Sequence, residues 1–125
     1  MSRVRSRHTG PELRVRKVLH AAGLRYRLHR RDLPGSPDIV FGRCRLAVFV
    51  HGCFWHQHPG CKKATIPATN SDWWQEKLER NQARDARVND ALLDAGWTSI
   101  VIWECTIADP LLVDRIAAVV RRLNS

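Results

Sequence analysis

Asp38-Ile-Val-Phe-Gly-Arg-Cys-Arg-Leu-Ala-Val-Phe-Val-His51 decides the fold. Asp38–Phe41 and Arg45–Val50 are short apolar runs rich in Val, Ile and Phe, and Gly42-Arg43 interrupts them. They read as two strands of a hairpin that enters the core. Upstream, Leu33-Pro-Gly-Ser-Pro37 has to be a turn or loop, and a short extended piece lies around Tyr26–His29. Before that, Thr9 and Glu12 have capping-box spacing, Val15, Val18, Leu19 and Ala22 recur at helical intervals, and Gly23 supplies a stop. Downstream, residues 51–70 mix Gly, Pro, Cys and His without periodicity, so they form a long irregular loop. Asn70 or Ser71 caps a long helix that ends before Gly96. Thr98–Trp103 reads as a buried strand from its β-branched content, and Asp109-Pro110 starts a final amphipathic helix. The order α, β, β-hairpin, α, β, α indicates an α/β fold, a mixed sheet flanked by helices.

At 125 residues, 44% hydrophobic and 26% charged, the chain has the size and composition of a single globular domain spanning 1–125. No apolar run is longer than that of Leu46–Val50, far short of the roughly 20 residues that span a membrane. The basic first 20 residues lack the apolar middle of a signal peptide, so a cytoplasmic protein is expected. Charge is unevenly placed. Residues 1–31 hold nine Arg and Lys17 against Glu12 alone, whereas residues 32–125 hold eleven basic and eleven acidic side chains. The whole excess of +9 therefore sits in the first quarter. Such a block is either a solvated face or a contact to a phosphate backbone, and the neutral body favours the latter.

The loop His51-Gly-Cys53-Phe-Trp-His56-Gln-His58-Pro-Gly-Cys61 carries three His and two Cys within eleven positions. Cys53, His58 and Cys61 offer three ligands in a short arc, and a structural Zn²⁺ needs four in a tetrahedron. Cys105, just after the Thr98–Trp103 strand, is the best fourth, while Cys44 beside the hairpin tip is less able to reach. Free buried thiols are the competing reading. His51 and His56 remain once zinc is satisfied, either as structural histidines or as two members of a common site.

Asp38 opens the hairpin opposite the end of its second strand, where a carboxylate suits a hard cation such as Mg²⁺ that admits phosphate oxygens and water. Hairpins also begin with Asp for no such reason. On the long helix, Trp74, Lys77, Leu78, Asn81, Asp85, Val88 and Leu92 fall within about 100° of arc. Lys77, Asn81 and Asp85 therefore share the inward face, either as a paired polar network or as the wall of a site. Phe54 and Trp55 stand side by side: either one packs inward and one lies on the surface, or both serve as wedges that unstack bases.

Together these segments resemble the very-short-patch repair (Vsr) endonucleases. The resemblance runs from Thr9-x-x-Glu12 to Trp103-Glu-Cys105. It is carried by Leu33-Pro-Gly-x-Pro-Asp38, His51-Gly-Cys-Phe-Trp-His56, Pro67-Ala-Thr69, Trp74-x-Glu-Lys77 with Asn81 and Arg84-Asp85, and Gly96-Trp97. It implies a zinc-containing variant of the PD-(D/E)xK restriction-endonuclease-like fold, the usual E-x-K being replaced by Phe49-Val-His51. It also implies nicking of one DNA strand 5′ of the thymine in a T·G mismatch left by 5-methylcytosine deamination. By this resemblance Asp38 and the Val50 carbonyl hold Mg²⁺, His56 supported by Asp85 manages the proton, and His51 and Glu12 support the hydrated metal. Cys53, His58, Cys61 and Cys105 match its zinc ligands. Phe54 and Trp55 match its intercalating wedge, Lys77 and Asn81 meet the mismatched pair, and Met1 stands where a further wedge residue enters. Arg3, Arg5 and Arg7 are expected to meet DNA as part of the basic N-terminal segment.

Most of the family's N-terminal arm has no counterpart here, which is expected to weaken mismatch selectivity more than cleavage. Val50 replaces a common threonine, harmless if only its carbonyl is used, and His8 stands where an acid is frequent. The leading expectation is a Mg²⁺-dependent, strand-specific T·G nickase, monomeric, with MutL-type mismatch-repair proteins as possible partners. A related defence or restriction nuclease cutting unmismatched DNA is the second. A zinc-stapled DNA-binding module without activity is the third, and a metal-facing acid such as Asp38 argues against it.

Overall fold

A computed structural model describes residues 10–124. Met1, Arg3, Arg5 and Arg7, His8, and the Thr9 half of the capping box lie outside the described residues.

Helix α1 (Gly10–Ala21) is followed by strand β1 (Arg27–Leu28) and the hairpin β2 (Ile39–Phe41) and β3 (Leu46–His51). Then come helix α2 (Ser71–Asp94), strand β4 (Thr98–Trp103) and helix α3 (Leu112–Asn124). The sheet order is β1-β2-β3-β4. The first three strands are antiparallel neighbours, and β4 runs parallel to β3 with His51 opposite Trp103. The mixed sheet and the element order are as the sequence implies.

Period-two alternation divides the core into two layers. Ile39, Phe41, Leu46 and Val48 pack with Val15 and Leu19 of α1 and with Leu112 and Ile116 of α3. On the opposite face Val40 and Ala47 meet Leu33 and Leu92, with Phe49, Val88 and Trp97 alongside. The sheet is thus sandwiched between α1 and α3 on one side and α2 on the other. β3 ends on the α2 side at His51, in step with Ala47 and Phe49.

Four local expectations need correction. Thr98–Trp103 is an edge strand in which only Ile102 is buried and Val101 is 42% exposed, so its β-branched content reflects strand preference more than burial. The hairpin connection is a one-turn 3₁₀ segment, Gly42–Cys44, followed by a left-handed Arg45 at φ 56°, not a two-residue turn at Gly42-Arg43. α3 starts two residues beyond Pro110, because the Asp109 carboxylate takes the Leu111 N–H at 2.9 Å and holds a turn there. Asn70 does occupy the N-cap of α2, but in a left-handed conformation with no side-chain cap bond.

The Leu33–Pro37 loop is pinned against α2. Gly35 has φ +75°, and a Cβ there would lie 2.5 Å from Val88 Cγ1. Gly35→Ala is therefore expected to destabilise the chain by on the order of 2 kcal/mol, read as a shift in the urea midpoint. An unchanged midpoint would mean that this loop, and Asp38 behind it, is not held by the contact. Among the described residues no helix is long and apolar enough to cross a membrane.

Candidate active site

The C-terminal end of β3, the start of β2 and the inward face of α2 enclose a cleft of about 820 Å³. Asp38, His51, Phe54, Trp55, His56 and Asp85 all line it. The hairpin register brings Asp38 beside β3, where its Oδ2 accepts the Val50 N–H at 2.7 Å. An extended residue directs its N–H and C=O to the same side, so the Val50 carbonyl turns toward Asp38 as well. Burial pushes the Asp38 carboxyl up to about 6; the Val50 N–H works against that shift, and the nearby charge of Glu12 adds to it. A carboxylate held this way favours a proton or a cation.

His51 stacks flat on His56, with ring centroids 3.7 Å apart and planes 5° from parallel. Burial first, and the neighbouring His56 second, push His51 down to about 4, with Asp85 opposing, so it is neutral at physiological pH. Its Nδ1 is buried with no hydrogen-bond partner among the described residues. That atom suits a site whose water or ion comes with the ligand. His56 Nδ1 lies 2.6 Å from Asp85 Oδ2. An ionised carboxylate only accepts, so Nδ1 carries a proton, and in the neutral ring that tautomer leaves the Nε2 lone pair free.

The irregular loop is gathered on one side of this cleft. Cys53, His58, Cys61 and Cys105 place their ligand atoms within 4.8 Å of one another. His58 Nδ1 stands 3.8 Å from the Cys53 sulfur and 3.4 Å from that of Cys105. Tetrahedral Zn²⁺ with thiolate and imidazole ligands separates its donors by roughly 3.5–3.8 Å, so this donor set fits the ion in both chemistry and spacing. Burial pushes the Cys53 thiol up to about 11, while the Lys63 N–H draws Cys61 down. Cys44 stays apart, its sulfur 3.7 Å from the Phe41 carbonyl.

The inward face of α2 follows the helical arc: Trp74, Lys77, Leu78, Asn81, Asp85, Val88 and Leu92 are each buried or half-buried, and the residues flanking Asp85 are exposed. Asn81 donates to the Trp55 carbonyl at 3.2 Å and accepts from Arg84 at 3.1 Å, which ties the aromatic loop to the helix. Phe54 is half-buried and Trp55 is 48% exposed. With Trp74 they form three rings in mutual contact, centroids 5.1–5.8 Å apart. Trp73 extends them onto the surface at 4.9 Å from Trp74.

Comparison with known proteins identifies the family. The family model for the DNA mismatch endonuclease Vsr matches residues 1–63. The type II nicking enzyme V.XorIIP of Xanthomonas oryzae pv. oryzae is 52% identical over 109 residues, 87% of this chain and 79% of that one. The DNA mismatch endonuclease Vsr of Escherichia coli is 38% identical over 107 residues, 86% of this chain and 68% of its own. The type II nicking enzyme V.NmeAIP of Neisseria meningitidis is 39% identical over 125 residues, 99% and 89% of the two chains. The chain belongs to the Vsr family. It is a DNA endonuclease.

Two residues of this Vsr-family cleft escape the sequence reading. His29 follows the two-residue β1, and its Nε2 lies 2.9 Å from Glu12 Oε2. Too short a strand and no nearby motif left it without a signal. Glu104 sits between Trp103 and Cys105 of the Cys/His cluster, lines the cleft, and accepts the Cys53 N–H at 3.3 Å. Its place inside a family motif was the available clue.

Proposed function

We propose that this Vsr-family endonuclease is a Mg²⁺-dependent nickase that cuts one strand 5′ of the thymine in T·G mismatches. The observation that carries the reading is one cleft that joins the Asp38 carboxylate, the His56–Asp85 pair and the Phe54 and Trp55 rings, which Trp74 contacts from outside it. Asp38 and the Val50 carbonyl would hold the cation, with His51 and Glu12 facing its water. A cation held by these groups would supply water activation and charge neutralisation at the phosphate. His56 takes the proton of the attacking water at Nε2, and Asp85 fixes the ring in that tautomer. Phe54 and Trp55 enter the stack at the mismatch, Trp74 backs them, and Lys77 and Asn81 meet the displaced pair. Met1, Arg3, Arg5 and Arg7 supply backbone and wedge contacts.

The fold is a PD-(D/E)xK variant, built as one domain over residues 1–125. Zn²⁺ on Cys53, His58, Cys61 and Cys105 staples the loop. The protein acts as a cytoplasmic monomer on DNA, with MutL-type proteins as expected partners. The names of its nicking-enzyme relatives support a second reading, the same chemistry on an unmismatched site.

The deciding experiment is Mg²⁺-dependent nicking of duplexes that differ only in T·G against C·G at one methylation-type site, with both strands labelled. A single nick beside the mismatched thymine, lost in Asp38→Ala, is expected. Equal cutting of both duplexes would select the second reading. Nicking unchanged in Asp38→Ala would remove Asp38 from the mechanism.

A further inference from the structure

A groove of about 1070 Å³ runs along the β1 edge of the sheet, where Arg25, Arg27, Arg30 and Arg43 line it with His20 and no Asp or Glu. Alternation along the chain places these arginines. Leu24, Tyr26 and Leu28 pack into the core beside α1 and α3, so the odd-numbered residues of this stretch turn to the other face. Arg27 lies opposite Val40, which faces α2, and Arg25 stands two positions before it. His29 and Arg31, the next two odd positions, line the cleft. One side of this stretch therefore carries basic residues from the groove to the cleft.

Arg30 is already engaged. Its guanidinium pairs with Asp32 at 3.0 and 2.6 Å and lies over the Trp97 ring at 5.5 Å. Arg25, Arg27 and Arg43 are exposed and have no ion-pair partner among the described residues. An arginine on a short edge strand guards that edge against pairing with another chain, which accounts for Arg27. It does not account for Arg25, which precedes β1, or for Arg43, in the 3₁₀ segment between β2 and β3. Like charges gathered in one groove repel. A polyanion laid along them relieves that repulsion and releases its own counterions, and each guanidinium matches phosphate oxygens in pairs. Arg25 lies four positions before His29, at most about 14 Å of chain, which is the axial rise of roughly four base pairs. A duplex that leaves the cleft along β1 meets the groove within half a helical turn.

We propose that Arg25, Arg27 and Arg43 hold the phosphate backbone of the duplex on one flank of the nick, so that the substrate is gripped at the groove as well as in the cleft. The inference needs only that DNA is cut in the cleft, and it goes beyond the nicking reading, which places no contact at this edge.

The test is fluorescence anisotropy of the zinc-loaded full chain on labelled duplexes, without added Mg²⁺, over a range of NaCl. One duplex extends about ten base pairs beyond the T·G pair on both sides, and two others are cut back to about three on one side or the other. Each phosphate neutralised contributes about 0.9 to the slope of log affinity against log salt. Arg25→Gln/Arg27→Gln/Arg43→Gln should therefore flatten the slope by about 2.7 on the long duplex and lower low-salt affinity at least tenfold. Arg25→Lys/Arg27→Lys/Arg43→Lys keeps the charge and should keep the wild-type slope. If the glutamine triple variant does not fold, Arg25→Gln/Arg43→Gln, outside the strand, decides the matter with a flattening of about 1.8. Shortening one flank should erase the difference between wild type and variant, and shortening the other should leave it. Equal slopes on the long duplex would overturn the proposal and leave the groove to an acidic polypeptide or to guarding the edge. A difference that survives both shortened duplexes would overturn it too, because the arginines then act at a distance and not by contact. Equal nicking of T·G and C·G duplexes by the wild type would overturn the mismatch reading alone, and the slope on the long duplex then judges the groove.

Discussion

Asp38→Asn is expected to abolish nicking and, without Mg²⁺, to make the protein harder to unfold above pH 6. The two effects have one cause. Burial raises the Asp38 carboxyl from 3.8 to about 6, so the fold tolerates the neutral form better than the anion. A group whose pKa is raised on folding contributes stability that is complete below its unfolded value, here about pH 4. That contribution is lost as pH rises through about 6. At pH 8 the cost is on the order of 2–3 kcal/mol. Asn is neutral at every pH, and its amide oxygen still accepts the Val50 N–H, so the substitution removes the cost and keeps the hydrogen bond. It cannot supply a charged cation ligand, and nicking should fall by on the order of 10³ or more. Melting in Mg²⁺-free buffer, with zinc retained, should show the variant several degrees above the wild type at pH 8 and level with it near pH 4. His51 acts in the opposite sense. Held down at about 4, it contributes stability above its ordinary value that is lost as pH falls, so both proteins should weaken together in acid. If the variant melts below the wild type at pH 8, the buried charge is not a liability and the cation is not what offsets it.

The parts of this site that were legible in the sequence are those where spacing has a physical consequence. A 100° repeat put Asp85 and Asn81 on the inward face of α2, and the structure has Asp85 on His56 and Asn81 on the Trp55 carbonyl. Cys53, His58 and Cys61 are close along the chain, and Cys105 follows a strand parallel to the one that delivers them, so the four converge. What stayed hidden depends on contacts between elements. Glu12 has capping-box spacing to Thr9, a local role that gives no hint of His29, seventeen positions on, as its neighbour. The exposure of Thr98–Trp103 is hidden because β-branched residues mark a strand, whereas its place at the sheet edge is set by what pairs beyond it. Trp73 followed the same logic in reverse: off the inward arc of the helix, it carried no expectation, yet it extends the exposed aromatic rings.

Removing zinc is expected to disable the enzyme through the loop, without touching Asp38. Residues 52–70 contain no helix or strand, and Cys53 is their only buried side chain. Fixing each such residue costs about 1–2 kcal/mol of backbone entropy, and so little burial cannot offset it. The four-residue Cys/His set is the feature able to do so, since zinc binding contributes directly to ordering the chain that carries its ligands. His56 lies between Cys53 and His58, so a metal on that set would also govern its approach to Asp85. Cys53→Ser, or treatment with a zinc chelator followed by restored Mg²⁺, should lower the melting temperature by about 10 °C or more and reduce nicking at least a hundredfold. Trypsin should then cut first at Lys62 or Lys63, both exposed within the loop. Readdition of Zn²⁺ should reverse all three effects in the wild type and none in Cys53→Ser. Full nicking and an unchanged tryptic pattern after verified zinc removal would show that packing against Trp103, on which His58 stacks at 4.2 Å, holds the loop without a metal.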